Sequence, residues 1–288
     1  MTKRMPRFLI VSVGIFLGLL GVATAYGNSL MNSAQGSANA FSPLPCQVGS
    51  QVLAPCMPSN YKEKQIEFLI DPIQASKAQA DQDISNYLAN AKNRNDKDFI
   101  AYVVEKIGVP PTGTDQTSEL DVLHRIGKSR SKSGLKTSAW LELHGGKDVW
   151  NWYKNELILS ESKKSKAKIL KKEMSLAESL SNAIVKQAKV KYARVSPYQV
   201  DPTLNAQNQK KFAGKTKFSY PSSHSVIAAA QVEILKSKKP ALMANLAKLE
   251  LQIDFSRMYA GGHYESDVIR GVYAGQLIGD YANYWIGG

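Results

Sequence analysis

Cysteine is scarce in this chain, and its two cysteines stand close together. Cys46 and Cys56 are the only two in 288 residues, and they flank a short loop. No histidine or acidic residue accompanies them at ligand spacing, which argues against a metal site, and a catalytic thiol would lack an adjacent base in sequence. In an exported protein this pattern predicts one disulfide between Cys46 and Cys56.

Long apolar runs are also scarce. The one candidate, Phe8–Val22, follows three cations in residues 1–7 and precedes small residues at 23–25. This order is typical of a signal peptide spanning residues 1–25, and it predicts an exported protein that is periplasmic or secreted. The run is short for a membrane span, which needs about 20 residues, so an uncleaved anchor is the alternative. Later apolar stretches are broken by polar residues and predict no span.

Alternating strand patterns are nearly absent, whereas apolar residues recur at helical spacing, as in Ile84, Tyr87, Leu88 and Ala91. We therefore expect an all-α fold with one domain over residues 61–288. Residues 26–60 are rich in small and polar residues at their start, and they predict a loose arm that carries the disulfide loop.

Positive charge is in excess. The formal net charge is +13, and removal of residues 1–25, with three cations and no anions, would lower it to +10. This excess favours phosphorylated ligands and anionic membrane surfaces. No recognisable module for reading nucleic acid is present, so no specific nucleic acid partner is predicted.

The segment Ser256–Asp267 contains a cation, a Gly-Gly turn, an imidazole and a carboxylate. A helix that begins near His263 would place Asp267 one turn later on the same face. Asp267 could then hold Nδ1–H of His263 and leave Nε2 free to attack an electrophile. Arg257 could bind the oxygens of a phosphate. Such a His–Asp pair alone is more often an exposed helical pair.

A second segment, Phe218–His224, predicts the start of a helix. Pro221, Ser222 and Ser223 suit the first positions, and an apolar run follows. The first turn of a helix offers free N–H groups to an anion. His224 in that turn could donate a proton to a leaving oxygen. On its own, this segment is better explained as a capped core helix.

Together, Ser-Arg-x5-His-x3-Asp and Pro-Ser-Ser-His, about forty residues apart, resemble the third and second signature motifs of the type 2 phosphatidic-acid phosphatase superfamily. That superfamily includes bacterial acid phosphatases and vanadium haloperoxidases. Ser223 stands where the family usually has glycine. The resemblance covers residues 186–285 and implies a helical bundle of the acid phosphatase and haloperoxidase type, with its motifs at one end.

The family's first motif, Lys-x6-Arg-Pro, is matched only in part. Lys189 and Pro197 fall in place, but Ser196 occupies the arginine position. Ser cannot supply a bidentate cationic fork. In an extended segment the side chain of Arg194 points to the same side as position 196, so we expect Arg194 to replace the missing arginine in part. The alternative is that Arg194 is one more solvated cation.

The resemblance implies a metal-independent phosphatase that works through a phosphohistidine. His263 would be the nucleophile, Asp267 its orienting carboxylate and His224 the general acid. The phosphate oxygens would be held by Lys189, Arg257, Ser222, Ser223 and Gly262, with a contribution from Arg194. No cofactor is expected, and the substrate is a phosphorylated small molecule or a lipid phosphate.

Two other functions stay open. A vanadium-dependent haloperoxidase would use the same residues to hold vanadate, although the missing arginine argues against tight retention. A non-catalytic phosphate- or lipid-binding protein is the second, motivated by Ser196.

Overall fold

The computed structural model describes residues 47–48, 51–52, 57–206 and 218–287, all of which belong to one compact unit, Phe41–Gly288. The predicted signal peptide, most of the predicted arm and the predicted disulfide between Cys46 and Cys56 lie outside the described residues. An all-α fold was predicted, and it is confirmed. The only strands among the described residues are β1 (Gln47–Val48) and β2 (Gln51–Val52), an antiparallel pair.

The helices follow in chain order: α1 (Glu63–Ile66), α2 (Ile70–Asn90), α3 (Asp96–Ile107), α4 (Gly113–Lys128), α5 (Lys132–His144), α6 (Asp148–Ser160), α7 (Lys164–Tyr192), α8 (Pro197–Val200), α9 (Ser223–Lys238), α10 (Met243–Tyr259) and α11 (Glu265–Ala282). Short 3-10 turns occupy Glu67–Leu69, Pro202–Leu204 and Pro240–Leu242, and a π turn occupies Asn283–Gly287. Within the described ranges, no helix is both long enough and apolar enough to cross a bilayer.

Helices α9, α10 and α11 form the centre of the bundle. Almost every residue from Ser225 to Leu235 of α9 is buried, and so are most residues of α10 and α11. Helices buried all round need neighbours on every side, and α2 and α7 pack against this centre. Helix α7 shows the expected one-sided pattern, with Leu170, Met174, Ala177 and Leu180 buried at helical spacing.

Helix α11 and helix α9 approach each other closely through glycine. Gly271, Gly275 and Gly279 recur every fourth residue of α11, and a Cβ at any of them would collide with α9. Since α9 begins beside His224 and α11 begins beside Asp267, this contact sets the distance between the two histidine-bearing segments.

Candidate active site

Main-chain hydrogen bonds bring the three predicted motif segments to one end of the bundle. The Ser219 N–H donates to the Arg194 carbonyl at 2.8 Å, and the Ser222 N–H donates to the Asp267 carbonyl at 2.9 Å. The Tyr198 N–H donates to the Gly261 carbonyl at 3.2 Å. Backbone bonds of this kind hold segments that are far apart in sequence beside one another.

His263 lies in the turn before α11 and faces Asp267. The predicted helix start at His263 is two residues early, because α11 begins at Glu265 after Tyr264 as its N-cap. The His263 Nδ1 atom is 3.4 Å from Oδ2 of Asp267, longer than the roughly 2.7–3.2 Å of a well-formed hydrogen bond. Burial lowers the pKa of His263 to about 4 although Asp267 opposes the shift, so the imidazole is neutral at neutral pH.

Asp267 is fully buried, and its two oxygens have different partners. Oδ1 accepts a hydrogen bond from Nη1 of Arg194 at 2.8 Å, and Oδ2 accepts one from the Tyr264 N–H at 2.9 Å. Burial alone would raise the pKa of Asp267, but His263, Arg194 and the Tyr264 N–H together hold it below its usual value. The carboxylate is therefore ionised and able to orient an imidazole.

His224 is the second residue of α9. Its Nε2–H donates to the carbonyl of Glu142 at 3.1 Å. Burial, reinforced by the charge of Lys189, lowers the pKa of His224 to about 4. Gly146 lies against the same ring, since a Cβ there would be 3.0 Å from Nε2. The corner between α5 and α6 thus covers His224.

Two buried cations stand beside the imidazoles. Lys189, in the last turn of α7, donates from Nζ to the Phe218 carbonyl at 2.8 Å, and burial lowers its pKa to about 8. Its charge acts on both His224 and His263. Arg257 is 2 % exposed, and burial lowers its pKa to about 10. These cations make the site attractive to an anion.

The Arg257 guanidinium is only partly satisfied within the protein. Nε donates to Oγ of Ser256 at 3.1 Å, and Nη1 forms an ion pair with the carboxylate of Glu142. Nη2 is buried and has no hydrogen-bond partner among the described residues. An unpaired guanidinium nitrogen at this depth is costly unless a ligand or water binds it.

The other predicted phosphate ligands lie nearby with some of their groups already in use. Ser222 caps α9, and its Oγ accepts from the Ser225 N–H at 3.4 Å and from the Ser225 hydroxyl at 3.0 Å. Ser223 is the first residue of α9. The Gly262 N–H donates to the Arg257 carbonyl at 3.2 Å, which closes the turn after α10.

The structure places the Arg194 guanidinium between two carboxylates. Its Nη1 donates to Asp267 at 2.8 Å and its Nη2 to Glu119 at 2.6 Å. Both terminal nitrogens therefore face carboxylates rather than an open anion site. Ser196, at the family's arginine position, donates from Oγ to Oε1 of Gln199 at 2.8 Å. Ser196 thus supports the start of α8.

Sequence reasoning missed Glu119 and Glu142. Glu142 contacts two site residues, through its carbonyl to His224 and through its carboxylate to Arg257. Both glutamates come from the N-terminal half of the chain, where no motif was recognised. Neither has a local pattern that distinguishes it from other glutamates on helices, so no sequence signal pointed to them.

Comparison with known proteins agrees with the motif resemblance. Residues 173–287 match the model of the PAP2 superfamily. A solved structure, described as the first transmembrane PAP2 type phosphatidylglycerolphosphate phosphatase from Bacillus subtilis, is similar with a TM-score of 0.46 and 19% identity, over 65% of this chain and 91% of that chain. The region that matches this family model carries Lys189, His224, Arg257, His263 and Asp267.

Proposed function

We propose that the protein is a phosphatase that hydrolyses phosphate esters through a phosphohistidine on His263. One observation carries the proposal: among the described residues, the buried Nη2 of Arg257 has no hydrogen-bond partner. The charges of Arg257 and Lys189 both act on the neutral imidazole of His263, and the charge of Lys189 also acts on that of His224. A tetrahedral oxyanion would satisfy that nitrogen and lie within reach of a nucleophile.

In the first step, Nε2 of His263 attacks phosphorus as the bond to the leaving oxygen breaks. Asp267 faces Nδ1 of the same ring at 3.4 Å and stabilises the imidazolium that forms. His224, when protonated, donates a proton to the leaving alkoxide. Water then attacks the phosphohistidine, His224 accepts its proton, and phosphate is released with His263 restored.

Lys189 and Arg257 spread the charge that develops on the non-bridging oxygens. Loss of one such positioned donor typically costs about 2–4 kcal/mol of barrier. Glu142 pairs with Nη1 of Arg257, so an anion bound at Nη2 would share the guanidinium with this carboxylate.

The substrate class follows from charge only. The excess of cations in the chain favours anionic phosphate esters, which include sugar phosphates, nucleotides, phosphatidate and prenyl diphosphates. Glu142 and Gly146, both upstream of the region that matches the family model, form a wall beside His224. We propose that this wall selects the leaving group.

Export is a further part of the proposal, and it rests on the residue pattern of positions 1–25. The N-terminal sequence of the protein recovered from outside the cytoplasm should start at Tyr26. A chain that keeps Met1 and stays with membranes would instead support the anchored form.

The central test is a phosphate-release panel on purified, chelator-treated protein. Wild type should release phosphate from at least one class, and His263→Ala should abolish release. The matched control is His124→Ala, because His124 forms a comparable but exposed pair with Asp201 at 3.0 Å; this variant should keep wild-type activity.

Three outcomes would contradict the proposal. Bromination that needs both peroxide and added vanadate would identify a haloperoxidase. Phosphate binding without turnover, lost in Arg257→Ala, would identify a binding protein. Equal activity in His263→Ala and wild type would exclude the assigned nucleophile.

A further inference from the structure

Arg194 is buried in a group of aromatic and acidic side chains beside the predicted nucleophile. Its Nη1 donates to Asp267 at 2.8 Å and to the Ser266 hydroxyl at 2.7 Å, while Nη2 donates to Glu119 at 2.6 Å. Its guanidinium lies 3.8 Å from the centre of the Tyr264 ring. The side chain is 4% exposed, so solvent does not loosen these contacts.

Glu119 of α4 holds both Arg194 and the start of α11. Oε2 accepts from Arg194, and Oε1 accepts from the Ser266 N–H at 2.7 Å. A carboxylate at a helix N-terminus satisfies a free N–H group and is stabilised by the helix dipole. One turn earlier on α4, Gln116 donates to the Tyr264 hydroxyl at 2.9 Å. Helix α4 therefore holds Arg194 through Glu119 and the neighbouring Tyr264 ring through Gln116.

The charge of Arg194 has a direct consequence for Asp267. A fully buried carboxylate without a cationic partner would take up a proton, and a neutral Asp267 could not stabilise an imidazolium. Among the described residues, Arg194 and His263 are the two side chains that form ion pairs with Asp267. Arg194 is therefore its one permanently charged partner there. Because Arg194 binds Oδ1, the other oxygen, Oδ2, is left to face Nδ1 of His263.

We propose that Arg194, held by Glu119, is a positioning residue that keeps Asp267 ionised and oriented toward His263. The proposal rests on the proposed phosphatase function. It differs from the sequence prediction that Arg194 contacts phosphate, because both terminal nitrogens bind carboxylates and, of the guanidinium nitrogens, only Nε has no partner among the described residues. Arg194, two positions before the family's arginine position at 196, acts on the Asp267 carboxylate instead.

A double-mutant cycle separates the two roles. If Arg194 acts through Asp267, Arg194→Ala should lower kcat about 10–100-fold with KM changed less than about threefold. In the Asp267→Asn background, the same substitution should cost less than about threefold. Arg194→Lys should retain part of the wild-type rate, and Glu119→Gln should lower kcat while leaving KM nearly unchanged. The last two variants decide the matter even if Arg194→Ala does not fold.

A titration that needs no turnover provides the second readout. Followed by NMR at the His263 ring, the coupled His263–Asp267 pair should take up its proton at higher pH in Arg194→Ala, because a neighbouring positive charge is gone. The other charges that face the pair, Lys189 and Arg257, remain. Arg94→Ala removes an exposed arginine paired with Asp96, and it should leave the titration unchanged.

The results that would overturn the inference differ from those that would overturn the enzyme assignment. An equal loss of rate in both backgrounds, or a rise in KM alone, would make Arg194 a phosphate ligand. An unchanged titration in Arg194→Ala would also refute the positioning role. If wild type hydrolyses no substrate, the proposed function fails, while the titration still tests the link between Arg194 and the His263–Asp267 pair.

Discussion

Replacing Gly275 with alanine should damage both stability and catalysis. A Cβ at this position would lie 2.4 Å from the Val226 carbonyl oxygen and 2.6 Å from Cβ of Ala229. Ordinary contacts between such atoms lie near 3.5 Å, so helices α9 and α11 would have to separate by about 1 Å. The colliding atoms include backbone, which cannot move aside as a flexible side chain does.

The expected magnitudes follow from this collision. Overpacking of a filled core costs about 1–3 kcal/mol, which for a domain of this size lowers Tm by roughly 2–12 °C. The shift also moves His224, at the start of α9, relative to His263 and Asp267. A misplacement of about 1 Å between reacting groups can cost about 100-fold in rate, so kcat should fall by roughly 10–100-fold.

Thermal unfolding followed by circular dichroism and steady-state phosphate release measure the two effects. Gly127→Ala in α4 is the matched control, because a Cβ there meets no atom nearer than 3.9 Å. Alanine is a better helix former than glycine by about 1 kcal/mol, so Gly127→Ala should raise Tm slightly and leave kcat unchanged. A Gly275→Ala protein with the Tm and kcat of wild type would refute the argument.

Three further predictions concern charge. Glu142→Gln removes the carboxylate that pairs with Arg257, so inhibition by inorganic phosphate should tighten roughly 3–10-fold; weaker inhibition would mean that Glu142 supports anion binding. Lys189 has a pKa lowered by burial to about 8, so kcat/KM should fall as pH rises through about 8, a limb that Lys189→Met should lack. Asp280 has its pKa raised to about 8 by burial and by the charges of Glu233 and Asp81. The contribution of the protonated Asp280 carboxyl to the free energy of unfolding is therefore fully present below the pKa of about 4 that this group has in the unfolded chain. This contribution is lost as pH rises through about 8. In denaturant titrations at pH 5 and pH 8, Asp280→Asn should show a smaller loss of unfolding free energy than wild type, and an identical loss would contradict the assignment.

Local signals in the sequence were sufficient for the helix that carries His224. Ser222 was a candidate cap for a helix that follows Pro221, and its side chain does accept a hydrogen bond from the Ser225 N–H.

The start of α11 was placed too early because spacing alone suggested a helix through His263. In the structure, Gly261 adopts a positive φ of 78° and the chain stays extended at Tyr264. Asp267 then caps the helix by accepting the Tyr264 N–H.

Tertiary partners were beyond the reach of sequence pattern. The extended-segment argument gave the side of the chain on which the Arg194 side chain would lie, but the orientation of its guanidinium depends on Glu119, which lies 75 positions away. The contact between Glu142 and Arg257 joins residues 115 positions apart. Such pairs are decided by how α4 and α5 pack against the central helices, and no local motif encodes that packing.

The neutral state of the two imidazoles has a consequence for the thermodynamics of ligand capture. His224 and His263 are neutral because burial and neighbouring cations disfavour the protonated rings. An entering dianion would offset those cations and raise the proton affinity of both rings. Phosphate capture and proton uptake are then linked, so affinity should strengthen as the solution becomes more acidic, and the heat of binding should vary with the ionisation enthalpy of the buffer.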